Sequence, residues 1–301
     1  MNTDVHGRGT AAGNAAGSGG GTTGNGTGGG TAPAAVRGRA RRRVDWGRYH
    51  TWAVLAWLFA PIVFMIVFSF NDPAGRHNIT WQGFTLKWYQ NAFAHTELNE
   101  AMFNSVSIAL LSMVVSGGLG TLLGLALGRF TFRGKQLTNL VMFAAISAPE
   151  VVIGAALLST FLMMNVTTGY WTTVIAHVMF CVSFVAITVR ARVITLDPRL
   201  EEAARDLGAD SWTTFRLVTL PMLFPAIMAG GLLAFALSID DYIITSFVSG
   251  DVTTFPLWIW GATRVGIPPQ VNVMGTLLFA VGLLLAVVNV VMARRRSAAG
   301  D

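Results

Sequence analysis

The stretch that decides the fold is AMFNSVSIALLSMVVSGGLGTLLGLALG, residues 101–128, which contains no charged side chain over 28 residues. A helix needs about 20 predominantly apolar residues to cross the hydrocarbon core of a bilayer. The whole chain has the same character, since 53% of its 301 residues are hydrophobic and 12% are charged. About one quarter of an average soluble domain is charged. The sequence therefore predicts an integral membrane protein.

Five further apolar segments accompany this one, at 51–70, 137–164, 171–189, 217–239 and 271–293. The apolar stretch 136–189 is too long for a single helix. The polar residues Asn165–Gly169 divide it into two of these segments. We therefore expect an all-α integral membrane protein, with six transmembrane helices in a domain over 49–293 and a basic C-terminus over 294–301. The first 48 residues are rich in Gly, Thr and Ala and end in a basic segment, a composition typical of a disordered tail.

Basic residues are distributed unequally among the loops. Of the 21 Lys and Arg residues, 18 lie in the N-terminal segment, in 129–135, in 190–216 and in 294–296. The positive-inside rule places such loops in the cytoplasm, so we expect both termini there. The same distribution argues against nucleic acid as a partner, because the basic residues flank membrane segments and orient the chain in the lipid.

Motif searches exclude several kinds of activity. The sequence contains no G-x-x-x-x-G-K-[ST] phosphate-binding loop, no H-E-x-x-H and no G-x-S-x-G, and its five histidines lack metal-ligand spacing. We therefore expect no catalytic residues, no metal and no cofactor. Small residues do recur every four positions on one face of the second apolar segment, at Ser116, Gly120, Gly124 and Gly128. In membranes this spacing favours close helix packing.

A short cytoplasmic helix is predicted in DPRLEEAARDLGADSW, residues 197–212. Asp197 and Pro198 favour its start, and Gly208 favours its end in a left-handed conformation. Residues spaced at i, i+3, i+4 and i+7 give it a narrow apolar face, made of Leu200, Ala203, Ala204 and Leu207. A helix this short is unstable alone in water. It needs a surface, either its own transmembrane helices or a partner protein.

Glu202-Ala203-Ala204, followed by Gly208 and by Val218-x-Leu220-Pro221, resembles the EAA signature of permease subunits in ATP-binding-cassette (ABC) importers. The family usually has Ile where this chain has Val218. The resemblance implies a type I importer permease fold, also called MetI-like, with an EAA loop over 197–221. It also implies that the short helix is a coupling helix docked on a separate ATPase subunit, through Leu200, Glu202, Ala203, Ala204, Arg205, Leu207, Gly208 and Pro221.

Further segments resemble spermidine/putrescine permeases, over about 52–293. They are GFTLKWY at 83–89, HVMFCVSFVA at 177–186, RAR at 190–192 and SIDDY at 238–242. This resemblance implies a non-catalytic subunit of the bacterial inner membrane that forms a polyamine pathway. Its implied partners are membrane lipid, two ATPase subunits, a second permease subunit that makes a heterodimer, and an extracytoplasmic polyamine-binding protein. Another cationic or small organic solute, or ferric ion, is the alternative cargo.

Three carboxylates lie within the apolar segments, Glu150, Asp240 and Asp241. An ionised carboxylate is expensive in lipid, so such residues face a cavity, a partner charge or the interface. Acidic walls attract a polyamine cation, and we assign these carboxylates and Tyr242 to a candidate substrate pathway. The structural alternative is that an aspartate caps a helix or pairs with an Arg of a neighbouring subunit. His177 is expected to be a hydrogen-bonded core histidine.

Two other transport classes remain as alternatives. A secondary transporter usually has internal repeats or broken helices at matching positions in each half, and the sequence shows neither. A channel needs a ring of selectivity residues, and the sequence contains no filter-like stretch. Association with an ATPase separates an importer from both classes.

Overall fold

The computed structural model describes residues 46–75 and 78–298. Most of the predicted N-terminal tail, residues 1–45, lies outside the described residues, as do 76–77 and the last three residues of the predicted basic C-terminus. From residue 52 onwards the described chain forms one compact unit. The helices are α1 Trp46–Phe68, α2 Lys87–Gln90, α3 Thr96–Arg129, α4 Lys135–Ser147, α5 Glu150–Met163, α6 Tyr170–Thr195, α7 Arg199–Asp206, α8 Ser211–Thr214, α9 Leu220–Asp240, α10 Ile243–Val248, α11 Phe255–Ala262 and α12 Pro269–Ala298, and a π-turn, Phe215–Thr219, joins α8 to α9.

Four helices are long and apolar enough to cross a membrane. They are α1, α3, α6 and the continuous helix Ser211–Asp240, which comprises α8, the π-turn and α9. The α4–α5 pair passes the same test only when the two helices are taken together, and α12 has a shorter apolar part over 269–284. These elements correspond to the six predicted segments, and the predicted all-α membrane architecture is confirmed.

The third apolar segment differs from the prediction. We expected one helix over 137–164, and this was wrong, because α4 and α5 meet at an angle of 110°. Between them Ala148 is extended, with φ −71° and ψ 138°, and Pro149 is also extended. A proline lacks the N–H that would continue the helix, and it disfavours a helical conformation in the residue before it. Pro149 therefore accounts for the break.

The core forms where α3, α6 and α9 pack together. The predicted stripe of small residues on α3 lies against α6 and lets the two helices approach closely. A Cβ atom at Gly124 would lie 2.7 Å from the carbonyl oxygen of Ala186, and one at Gly120 would lie 2.6 Å from Cβ of Val185. Neither position has room for a larger side chain, so the predicted packing role of the stripe is confirmed.

Candidate functional sites

The short helix α7 begins and ends at residues that the sequence singles out. The Arg199 N–H donates a hydrogen bond of 3.0 Å to Oδ1 of Asp197. Pro198 takes the N-cap position, directly before the first helical residue. Gly208 has φ +89°, the left-handed conformation that ends a helix, as predicted. These residues fix the bounds of α7 and turn the chain towards α8.

Much of the apolar face of α7 is exposed in the described part of the chain. None of the α7 residues is buried, and Leu207, just after its end, is 90% exposed. Leu200 and Trp212 are also exposed. Of the two surfaces proposed for this helix, its own transmembrane helices cover little of its apolar face. Exposed apolar side chains that lie together are typical of a protein–protein contact.

Most of the residues predicted to dock on an ATPase are exposed. Glu202, Ala203, Arg205 and Gly208 are exposed, and Ala204 is half-buried. Pro221 is exposed in the first turn of α9, directly after the π-turn. Apart from the half-buried Ala204, these residues are therefore accessible on α7 and just after it, and Pro221 lies on the helix that follows.

Glu201 is a residue that the sequence reasoning missed. Its Oε1 atom accepts a hydrogen bond of 3.0 Å from Nη2 of Arg129 and another of 3.0 Å from the Thr219 hydroxyl. Arg129 is the last residue of α3, and Thr219 is the last residue of the π-turn. Glu201 thus ties α7 to two transmembrane helices. The only sequence signal was its position beside Glu202, and its partners are 72 and 18 residues away.

The segment after Gly208 begins with a side-chain helix cap. The Asp210 side chain caps α8 by accepting a hydrogen bond of 3.1 Å from the Thr213 N–H. Hydrogen bonds from the side chain and backbone of Thr213 hold the pKa of the Asp210 carboxyl below its usual value. The cap is therefore fully charged at neutral pH, and it fixes the start of the helix that continues through the π-turn into α9.

A cavity of about 410 Å³ lies at the other end of α9. Asp240 is exposed and lines this cavity together with Tyr242 and Trp260, whose ring centroids are 5.3 Å apart. Apolar residues of α11 and α12 complete the wall, including Phe255, Ile259 and Leu278. One carboxylate beside two aromatic rings suits an organic cation, because the carboxylate supplies charge and the ring faces attract cations.

Asp241 is the next residue in the chain, but its side chain does not line this cavity and is only 5% exposed. Its Oδ2 atom accepts hydrogen bonds from the backbone N–H of Thr245 at 2.8 Å and from the Thr245 hydroxyl at 2.7 Å. Oδ2 also lies 3.3 Å from Nε2 of His177. Asp241 therefore caps α10 and pairs with α6, which is close to the structural alternative considered for the aspartates.

His177 is the centre of this buried polar group. Its Nδ1 lies 2.6 Å from the Ser238 hydroxyl, and its Nε2 lies 3.0 Å from the Thr245 hydroxyl. The prediction of a hydrogen-bonded core histidine is confirmed. Glu150 lies apart from the group and from the cavity, as the exposed first residue of α5. The structure thus places Asp240 and Tyr242 together at the cavity, Asp241 behind it, and Glu150 at the α4–α5 break.

Comparison with known proteins identifies the family. Residues 120–295 match the family described as binding-protein-dependent transport system inner membrane component. The chain belongs to this family. It is 37% identical over 246 residues to the spermidine/putrescine transport system permease protein PotC of Escherichia coli K12, a match that covers 81% of this chain and 92% of PotC. The putrescine transport system permease protein PotI of the same organism is 36% identical, with 79% and 87% covered.

Solved structures support the fold. The chain resembles a bacterial ABC transporter that imports the polysaccharide alginate, with a TM-score of 0.58, 18% identity and coverage of 84% of this chain and 97% of that one. It also resembles the alginate transporter in complex with a periplasmic protein bound to alginate pentasaccharide, with a TM-score of 0.61 and 14% identity over 83% and 95% of the two chains. The predicted ABC importer permease fold is confirmed, and the protein is a multi-pass subunit of the inner membrane.

Proposed function

We propose that this protein is a permease subunit of an ABC importer for polyamines, such as putrescine and spermidine. The observation that carries the proposal is its similarity to polyamine permeases along most of the chain, at 37% identity to PotC. Two further observations support the ABC importer class. The exposed apolar face around α7 offers a docking surface for a partner, and the sequence has no phosphate-binding loop of its own. Such a subunit needs ATP hydrolysis by a partner.

The α7 helix supplies the contact with that partner. Leu200 and Leu207 would enter an apolar groove on an ATPase subunit, while Glu202 and Arg205 would make polar contacts at its rim. Ala203 and Ala204 let the backbone come close, Gly208 turns the chain away, and Pro221 starts the helix that leads back into the membrane. In the complete transporter, two ATPase subunits bind two different permease subunits, and an extracytoplasmic polyamine-binding protein delivers the cargo.

The cavity at the end of α9 forms part of the polyamine pathway. Asp240 attracts an ammonium group, and the faces of Tyr242 and Trp260 each contribute about 0.5–2 kcal/mol of cation–π attraction, depending on how dry the cavity is. Asp241 serves this pathway indirectly, because its hydrogen bonds to Thr245 fix the turn that contains Tyr242, which lines the cavity. Glu150 stays a prediction, as an acidic residue at the α4–α5 break.

In this arrangement, both termini and the 190–216 segment lie in the cytoplasm. The distribution of basic residues supports this orientation, since 18 of 21 lie on one predicted side. Residues 49–293 then form the membrane domain, with a tail over 1–48 and a basic C-terminus over 294–301. The cavity with Asp240 is at the opposite end of α9 from the π-turn, and therefore faces the extracytoplasmic side.

The experiment is uptake of radiolabelled putrescine and spermidine into proteoliposomes that contain this chain with the ATPase subunits, the second permease subunit and the binding protein of its transporter. We expect uptake that needs ATP and the binding protein. A Gly208→Asp variant should lose uptake, because an L-residue in the left-handed region is strained by about 1–2 kcal/mol and a new charge would enter the docking surface. ATP hydrolysis without polyamine uptake would overturn the substrate, and failure of any ATPase to assemble would overturn the importer class.

A matched control separates backbone strain from docking. Gly134, before α4, has φ +95°, and at Gly134 as at Gly208 an added Cβ atom would have nothing within 4 Å. Gly134→Asp therefore imposes a similar strain and charge outside the predicted docking surface. We expect this variant to retain most of its uptake. Equal loss in the two variants would show that strain alone, and not the contact with an ATPase, explains the effect at Gly208.

A further inference from the structure

The junction of Arg129, Glu201 and Thr219 connects three elements through one carboxylate oxygen. Oε1 of Glu201, in α7, accepts hydrogen bonds of 3.0 Å from both Arg129 and Thr219. Thr219 is buried, and the Arg129 and Glu201 side chains are only 17% and 21% exposed. Partial removal from water strengthens a charge-assisted hydrogen bond relative to an ion pair on the open surface, which contributes little.

The elements that meet at this junction belong to the core of the membrane domain. Arg129 ends α3, where a positive charge interacts favourably with the helix dipole. Thr219 ends the π-turn, and α9 continues from it without a break to the cavity at Asp240. π-turns inside α-helices occur frequently at functional sites. A displacement of α7 is thus applied to the end of α3 and to the start of α9 at the same point.

Two adjacent glutamates of α7 have different surroundings. Glu201 points into the junction, whereas Glu202 is exposed and has no hydrogen-bond partner among the described residues. Glu202 is the residue of the EAA signature and is free to contact an ATPase. Glu201 is outside the signature, and its contacts are with its own transmembrane helices. Glu202 thus belongs to the outer surface of α7, and Glu201 contacts the transmembrane helices on its inner side.

We propose that Arg129 and Glu201 are positioning residues that transmit the movement of α7 to α3 and α9. This inference rests on the proposed function, because it assumes that an ATPase moves α7. Without the junction, α7 would still dock and ATP would still be hydrolysed, but the helix would move without carrying the membrane helices with it. Loss of the junction therefore uncouples hydrolysis from transport instead of preventing assembly.

The test compares Arg129→Gln, Glu201→Gln and the exchange variant Arg129→Glu/Glu201→Arg in the reconstituted complex. We measure ATPase co-purification, ATP hydrolysis and uptake, and we express uptake per ATP hydrolysed. The single variants should assemble normally and lose about tenfold or more of this ratio, as expected when a hydrogen bond to a charged group is lost. The exchange variant should recover part of it, because it restores the ion pair but reverses the charge at the end of α3. Arg133→Gln, an exposed arginine four residues further on, is the matched control and should keep the wild-type ratio.

A second readout works without any transported substrate. Cys181 is the only cysteine of the chain and is buried, so Ser246→Cys, on the exposed side of α10, provides a single accessible thiol. In the wild-type background, ATP with vanadate should change its rate of maleimide labelling, and Arg129→Gln should abolish that change. A complex that hydrolyses ATP but moves no polyamine would refute the proposed substrate and still give this readout.

Two results would overturn the inference. One is a wild-type ratio of uptake to hydrolysis, or a wild-type labelling response, in both single variants. The other is an exchange variant that assembles normally but couples no better than the single variants. Should Arg129→Gln fail to accumulate in the membrane, Glu201→Gln and the exchange variant decide the question, since Glu201→Gln keeps an acceptor for the Thr219 hydroxyl.

Discussion

Asp240 and Asp241 are neighbours in the chain, but their side chains have different environments and different expected roles. Asp240 is exposed at the cavity, so Asp240→Asn should raise the apparent KM for polyamine uptake about tenfold, the effect of losing a charged hydrogen-bond partner. Asp241 is buried and caps α10. Asp241→Asn should lower the stability of the folded protein by roughly 1–3 kcal/mol, because it disturbs a buried hydrogen-bonded group. Uptake kinetics and thermal unfolding in detergent measure the two effects.

Asp251→Asn is the control for these variants, since Asp251 is an exposed aspartate between α10 and α11 that does not line the cavity. It should change neither quantity. A wild-type KM for Asp240→Asn would remove Asp240 from the polyamine pathway. A wild-type melting temperature for Asp241→Asn would show that its buried contacts contribute little to folding.

The sequence selected both aspartates but could not assign them different environments. Their separation depends on His177, which lies on α6 more than 60 residues away, and on the direction in which the chain leaves α9. Thr245 is closer, four residues after Asp241, and a carboxylate before a short helix is a cap signal. Glu201 was missed for a similar reason, because its partners Arg129 and Thr219 come from other segments.

The packing of α3 against α6 gives a prediction at the scale of the elements. A methyl group at Gly124 would press on the backbone carbonyl of Ala186, which cannot turn aside as a side chain can. Gly124→Ala should therefore destabilise the protein by about 1–3 kcal/mol, as overpacking generally does. Gly118 lies on the same helix with nothing within 4 Å of its would-be Cβ. Gly118→Ala should be neutral or slightly stabilising, because alanine favours a helix by about 1 kcal/mol over glycine.

Thermal unfolding of the two variants in the same detergent measures this difference. Equal melting temperatures would mean that α3 and α6 can separate to admit a methyl group at Gly124. The spacing of small residues was enough to predict which face of α3 packs closely, because helix geometry alone places every fourth residue on one side. The partner helix was not predictable from this pattern, since it depends on the tertiary arrangement.

The prolines in the apolar segments indicate helix breaks less clearly than the glycines of α3 indicate close packing. Pro61 lies inside α1 and Pro225 inside α9, and both helices continue through them, whereas the chain breaks at Pro149. Membrane helices tolerate proline when neighbouring groups satisfy the freed backbone atoms. Pro61 and Pro225 thus differ in outcome from Pro149, and the local sequence does not distinguish them. The sequence thus predicted the existence of the third segment correctly and its shape incorrectly.

The molecule as a whole exposes more apolar surface than a soluble protein does. In the described part of the chain, α1 contains no buried residue, and many large side chains of α3, α4 and α5 are exposed. Surface of this kind lies against lipid or other subunits. Composition predicted the membrane, but it could not divide the surface between lipid and partner proteins, because both contacts favour the same apolar side chains.

The orientation of the whole molecule in the membrane is tested by thiol labelling. Cys181 is buried and the chain has no other cysteine, so the unmodified protein should remain unlabelled. In intact spheroplasts, a membrane-impermeant maleimide should label Asp251→Cys and Val265→Cys, both at exposed positions on the predicted outer side.

The same reagent should label Phe132→Cys and Asp206→Cys only after the membrane is opened, because these positions lie beside the basic loops that the positive-inside rule retains in the cytoplasm. The opposite labelling pattern would place α7 outside the cell, where no ATPase subunit could reach it. The proposed coupling of α7 to ATP hydrolysis would then fail together with the orientation, while the family membership and the fold would stand.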